Sequence, residues 1–192
     1  MAKARKVTGV APLRSYYENA RIILPQRLEE VYTWEPFIRD ETRREELHNM
    51  RISIKRLRYT MELFRVAYQN GSQQSAVSGQ GSSDLTPDNQ YAECLAKLVD
   101  LQEILGDIHD ADVVLEVLAD YASQLGNQGK QGPVYPGIVR LIARTEKARK
   151  ADYETFLEKW DQLSAAGFKQ ELLSFFNSSV LVHCSTMVSG EF

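Results

Sequence analysis

Arg44, His48, Arg51, Lys55 and Arg58 recur at the spacing of one helical stripe. Leu47, Met50, Ile54, Leu57, Met61 and Phe64 form an apolar face beside it. Gathering cations along a buried edge is costly unless something anionic neutralises them. With rungs about 5 Å apart, such a stripe suits a polymer of repeated negative charge better than one small ion. Between Arg51 and Arg58 four cations occur, Arg56 included, with no acid among them. Glu62 alone cannot neutralise Arg51, Lys55 and Arg58 together. The alternative is a solvated face whose charges pair with Asp40, Glu41, Glu45, Glu46 and Glu62.

A second basic row, Arg140, Arg144 and Lys147, has the spacing i, i+4, i+7, with Arg149 and Lys150 nearby. Two such rows in one bundle could face each other and line a channel. Arginine would give bidentate contacts to phosphate oxygens and lysine a mobile point charge. The imidazolium of His48 should be disfavoured by its cationic neighbours and favoured by a bound polyanion.

Other chemistries are less well supplied. Glu45-x-x-His48 has the spacing used by di-metal bundles, but only one such pair is present. A metal-dependent phosphohydrolase could draw on His48, His109, Asp110 and Asp152, yet Arg51 and Lys55 would stand beside the dication. No Gly-rich phosphate loop or nucleophile motif is present. Aromatic side chains, apart from Tyr59, are not interleaved with the basic rows, so nucleic acid is not an expected partner. A binding module without metal or cofactor is therefore expected, with the phosphohydrolase and a helical protein-interaction scaffold as alternatives.

The chain of 192 residues suits one domain with a real core. Its net charge of −3 means that any anion site arises from local clustering. No apolar run approaches the roughly 20 residues needed to span a bilayer, so no membrane association is expected. Met1–Lys6 is basic but lacks a following apolar stretch, unlike a secretory signal. Cys94 and Cys184 form neither a metal spacing nor a disulfide framework, which fits a cytoplasmic protein.

These features must be positioned by helices. Residues 1–11 read as a disordered basic tail, and 12–176 as a single helical domain. Helical patterns cover Leu13–Leu24, Gln26–Trp34 after a break or kink at Pro25, and about Asp40–Ala67. Residues 69–90, rich in Gly, Ser, Gln and Asn, read as a flexible linker. A helix at Asn89–Gly106 should be interrupted by Gly106, with Asp107 or Asp110 capping another through Leu125 that carries Val113, Val114, Val117, Leu118 and Tyr121. Gly126–Pro136 is a second break. Gly137–Leu163 and Phe168–Phe176 complete the helices, before an irregular tail over 177–192 with weak strand propensity at Val180–Val182. The expectation is an all-α antiparallel bundle of four or five main helices.

Two segments also carry a family resemblance. LHNMRISIKRLRYTMELF, Leu47–Phe64, resembles the signature helix of the conserved histidine α-helical domain (CHAD) family. LVDLQEILGDIHDADVVLEVL, Leu98–Leu118, is similar to its Leu-Gln-x-x-Leu-Gly-x-x-x-Asp segment. Gly137, opening a basic helix that ends near Trp160, agrees more loosely. The resemblance spans roughly Leu13 to Phe176 and implies a helical bundle that binds inorganic polyphosphate in a basic groove. It implies that His48, Arg51, Lys55, Arg56 and Arg58 line that groove, and by weaker extension Arg140, Arg144 and Lys147. Family members usually carry two signature helices in pseudo-symmetric bundles, whereas residues 1–46 contain no equivalent of the first. A half-length member would rebuild the two-fold arrangement by pairing, so a homodimer is expected.

Overall fold

Ser15 opens the first helix with a reciprocal cap: its Oγ accepts the Glu18 N–H at 3.1 Å, and Glu18 Oε2 accepts the Ser15 N–H at 2.8 Å. In this computed structural model, which describes residues 4–69, 87–127 and 136–177, five α-helices follow one another. They are α1 (Tyr16–Tyr32), α2 (Arg44–Gln69), α3 (Pro87–Asn127), α4 (Pro136–Ala165) and α5 (Phe168–Asn177), with a 3₁₀ turn at Glu35–Phe37. No strand occurs among the described residues. α2 packs on α1 to one side and α3 to the other, α3 packs on α4, and α5 folds back over α1 and α4. The core is continuous across all five helices. The six apolar residues of the α2 face, Leu47 to Phe64, are all buried in it.

Four local readings of the sequence are corrected. α1 runs through Pro25 without a break. Beside the helical bond that proline removes, Gln26 Nε2 donates to the carbonyls of Ile22 (2.8 Å) and Thr8 (3.0 Å). The basic segment is not free from residue 4 onward: it lies antiparallel along α1. The amide of Gln26 accepts from the Thr8 N–H, the amide of Asn19 brackets Ala11, and Glu30 accepts the Arg5 N–H. Residues 87–90, read as linker, begin α3. Gly106 does not interrupt α3, which continues unbroken to Asn127. Most of the expected linker (70–86), most of the second break (128–135) and the tail from 178 lie outside the described residues.

Where α4 meets α5 the chain turns through Gly167 at φ +74°. An L side chain is strained there by the approach of its Cβ to the backbone carbonyl, while the space around it is open apart from Gln170 Oε1 at 3.9 Å. The turn seats Phe168, Leu172, Phe175 and Phe176 in the core. Gly167→Ala is therefore expected to cost about 1–2 kcal/mol, read as a Tm lower by several degrees in thermal unfolding.

Candidate functional site

Three contacts fix how the basic stripe of α2 meets α3. Arg44 Nε lies 3.0 Å from Asp112 Oδ1. One turn on, His48 Nδ1 and His109 Nδ1 are 3.2 Å apart, their rings tilted at 43° with centroids separated by 4.2 Å. One turn further, the Arg51 guanidinium crosses Gly106, its Nε 3.6 Å from where a Cβ would sit. The helices are thus antiparallel in a steady register, and its next turn sets Lys55 opposite Gln102. A Cβ at 106 would meet that guanidinium at ordinary van der Waals distance, and packing against α2 keeps the glycine helical despite its low propensity.

The seam leaves donors unsatisfied. Arg51 Nε is buried with no hydrogen-bond acceptor. Arg58 Nε lies 3.1 Å from Glu62 Oε1, but its N–H is not directed at that oxygen and it too lacks an acceptor. Arg51 and Lys55 have no carboxylate partner among the described residues. Instead, Lys55 and Arg58 share the ring of Tyr59, with Lys55 Nζ 5.8 Å and Arg58 Cζ 4.6 Å from its centroid. A buried cationic N–H without a partner is expensive, and an anion removes that cost while forming a charge-assisted bond.

Two carboxylates sort the remaining arginines away from this seam. Asp112 holds Arg44 on α2 and, at 2.6 Å, the buried Arg149 on α4, whose Nη2 also reaches the Glu41 carbonyl at 3.0 Å. Glu30, 3% exposed on α1, accepts from Arg27 at 2.8 Å and Arg56 at 2.9 Å. Arg56 therefore points to α1, away from α3, and Arg44 is neutralised at the seam's end. Of the residues expected to line one groove, His48, Arg51, Lys55 and Arg58 are brought together; Arg44 and Arg56 are tied into structural ion pairs.

The second basic row does not face the first. Contacts of Arg149 with Asp112 and of Lys159 with Asp100 make α4 antiparallel to α3. Lys147, Arg144 and Arg140 consequently run from the level of Asp112 in one direction, while His48, Arg51 and Lys55 run in the other. Lys55 and Arg144 are separated by roughly 20–25 Å along the bundle axis. All three α4 residues are exposed.

The metal alternative finds little support in placement. His48 and His109 meet, but no group of three or more His, Cys, Asp or Glu side chains among the described residues is arranged to hold a metal ion. Asp152 lies beside Asp107 instead; burial, then that second carboxylate, raises its pKa. No helix among the described residues is long and apolar enough to cross a membrane.

Sequence reasoning missed two seam residues. Apart from the family resemblance of their segment, His109 reads in the sequence as a metal ligand and Gly106 as a helix breaker. Their spacing from Gln102, four then three residues, is that of one helix face and marks them as the strip that meets α2.

Burial, then His109, then Arg51 hold the His48 imidazolium below its ordinary pKa, with Glu45 pulling the other way. The Nδ1–Nδ1 contact needs one ring protonated at Nδ1 and the other bare there, so charging both rings removes the acceptor. The unfolded chain then takes up a proton on His48 before the native protein does. Stability from this group is present above the ordinary histidine pKa and is lost as pH falls below it. The ligand-free protein is expected to lose Tm between about pH 7.5 and pH 5.5, the unfolded histidine value being about 6.5, and His48→Asn to flatten that slope in thermal melts across the range.

The family model described as CHAD domain matches residues 7–78 and 80–186. No curated protein and no solved structure matches the chain.

Proposed function

We propose that this chain, which belongs to the CHAD domain family, binds inorganic polyphosphate along the α2–α3 seam. The observation that carries the reading is the pair of buried guanidinium N–H groups, on Arg51 and Arg58, that find no acceptor on a seam with Lys55 between them. Family membership agrees with it from an independent direction.

In this reading the phosphate chain lies along α2. Arg51 and Arg58 turn their unpaired donors to successive phosphates, and Lys55 supplies a point charge. Tyr59 keeps Lys55 and Arg58 near one another. His48 donates a hydrogen bond at the Asp112 end, and a phosphate beside it favours the imidazolium that the ligand-free protein disfavours. The protein acts by binding, without a catalytic step. Arg44 and Arg56 contribute scaffold, not ligand contacts.

The test is a calorimetric titration with long-chain polyphosphate. Neutralising three or four phosphates makes affinity fall about 20- to 50-fold between about 50 and 200 mM salt. Arg51→Ala and Lys55→Ala should each weaken binding by about tenfold or more with Tm little changed. Arg56→Ala is the control: removing one partner of buried Glu30 costs about 2 kcal/mol of stability and leaves affinity within about twofold. Affinity that survives half-molar salt, or that falls equally for Arg56→Ala and Arg51→Ala, would overturn the assignment.

A further inference from the structure

Besides Arg51 Nε and Arg58 Nε, two buried polar atoms lack a hydrogen-bond partner among the described residues: Gln102 Oε1 and the Tyr91 hydroxyl, both on α3. Tyr91 is about three turns from Gln102, toward the start of α3. It is a core residue, its ring centroid 5.9 Å from that of Phe175. Gln102 instead precedes Gly106 by one turn and so lies on the α3 strip that meets α2, opposite Lys55. A helical side chain leans toward its own N-terminus, so the Gln102 amide is carried from the level of Lys55 toward that of Arg58.

A charged acceptor is what the side chains around this amide lack. Arg51 and Lys55 have no carboxylate partner among the described residues, and Glu62 does not satisfy the Arg58 Nε–H. A glutamate at 102 would have the same length and would supply that acceptor from within the chain. Glutamine keeps the shape and withholds the charge. Its own carbonyl oxygen is then left without a donor, a cost of the same kind as that of the arginine N–H groups. Half a turn about the terminal torsion exchanges the amide oxygen and nitrogen, and puts an N–H donor in the same buried position. Interior phosphates of a polyphosphate chain offer acceptor oxygens and no proton to give. They repel a carbonyl oxygen and accept from an amide N–H.

We propose that Gln102 is a further ligand residue of the seam, donating its side-chain N–H to a phosphate oxygen between Lys55 and Arg58. Its neutrality is the second half of its role, since it leaves both cations unneutralised until the phosphate chain arrives. Resting on the polyphosphate reading of the seam, this adds an uncharged contact to the cationic ones.

Two substitutions in the full chain separate these roles. Gln102→Met keeps the length and cannot donate, whereas Gln102→Glu supplies the missing carboxylate. Each is titrated calorimetrically with long-chain polyphosphate between about 50 and 200 mM salt, and melted without ligand. Gln102→Met is expected to bind about tenfold more weakly with the salt dependence of the intact protein, because a neutral donor releases no counterion. Arg51→Ala, by contrast, takes about one from the slope of log affinity against log salt. The ligand-free Tm of Gln102→Met should equal or exceed that of the intact protein, since a buried unpaired carbonyl is removed. Gln102→Glu is expected to raise the ligand-free Tm while weakening binding about a hundredfold, two effects of opposite sign from one substitution. An intact protein that does not bind, or binds without salt dependence, removes the seam reading and Gln102 with it. Tight, salt-dependent binding that Gln102→Met or Gln102→Glu leaves unchanged overturns the role of Gln102 alone. A Gln102→Met protein that loses several degrees of Tm along with affinity makes the amide a structural partner of Arg58, and likewise overturns it.

Discussion

Asp112 is the carboxylate on which the geometry of this bundle depends. It stands on α3 where α2 begins and α4 crosses, and it binds a guanidinium from each. The Arg149 arm of this contact is almost fully enclosed and is extended to the Glu41 carbonyl ahead of α2. One acid thus sets the axial position of α2 against α3 and of α3 against α4. Removing one member from a buried charge group costs on the order of 3–5 kcal/mol, a large share of what holds a domain folded. Everything on the seam is counted in helical turns from that point: the histidine pair one turn away, the Arg51–Gly106 crossing two, Lys55 three.

The same logic explains how a slightly acidic protein sustains a cationic strip. Asp112 and Glu30 each neutralise two arginines, so four of the chain's cations are used in holding helices together. Those left over on α2 are not distributed at random. They lie on the side turned to α3, where the facing residues are a glycine, a glutamine and a histidine. None of these can neutralise a guanidinium. Arg51 is therefore held in place by packing with its Nε–H left without an acceptor, the feature on which the proposed anion site rests.

How much of this was legible in the chain depended on the kind of signal. The α2 face was, since Leu47, Met50, Ile54, Leu57, Met61 and Phe64 follow one period and are buried as a set. The all-helical character followed from the same periodicity. Pro25 and Gly106 misled because local propensity is a weak prior once tertiary contacts intervene. Gln26 supplies a donor beside the proline, and packing of α2 against α3 keeps the glycine in helix. The N-terminal segment was read as disordered from its charge, yet two side-chain amides on α1 hold it by pairing with its backbone. A basic stripe seen in sequence also gives no direction: Arg56 is two positions from Arg58, and the difference in angle sends it to Glu30 on the opposite neighbour. The expected pairing of two basic rows failed for a similar reason, since spacing fixes a face within a helix but not the axial offset between helices.

That offset divides α3 into two chemically distinct halves of one continuous face. Below Asp112 the face is lined by Gln102, Gly106 and His109 and is covered by α2. Above it Val113, Glu116, Val117 and Asp120 continue the face and are exposed among the described residues. Burying each exposed Val or Tyr contributes on the order of 1–3 kcal/mol only if an apolar surface meets it, whereas the lower half gains most from something charged. A substitution on one side of Asp112 therefore leaves the geometry of the other side of α3 intact so long as that acid keeps both its arginines.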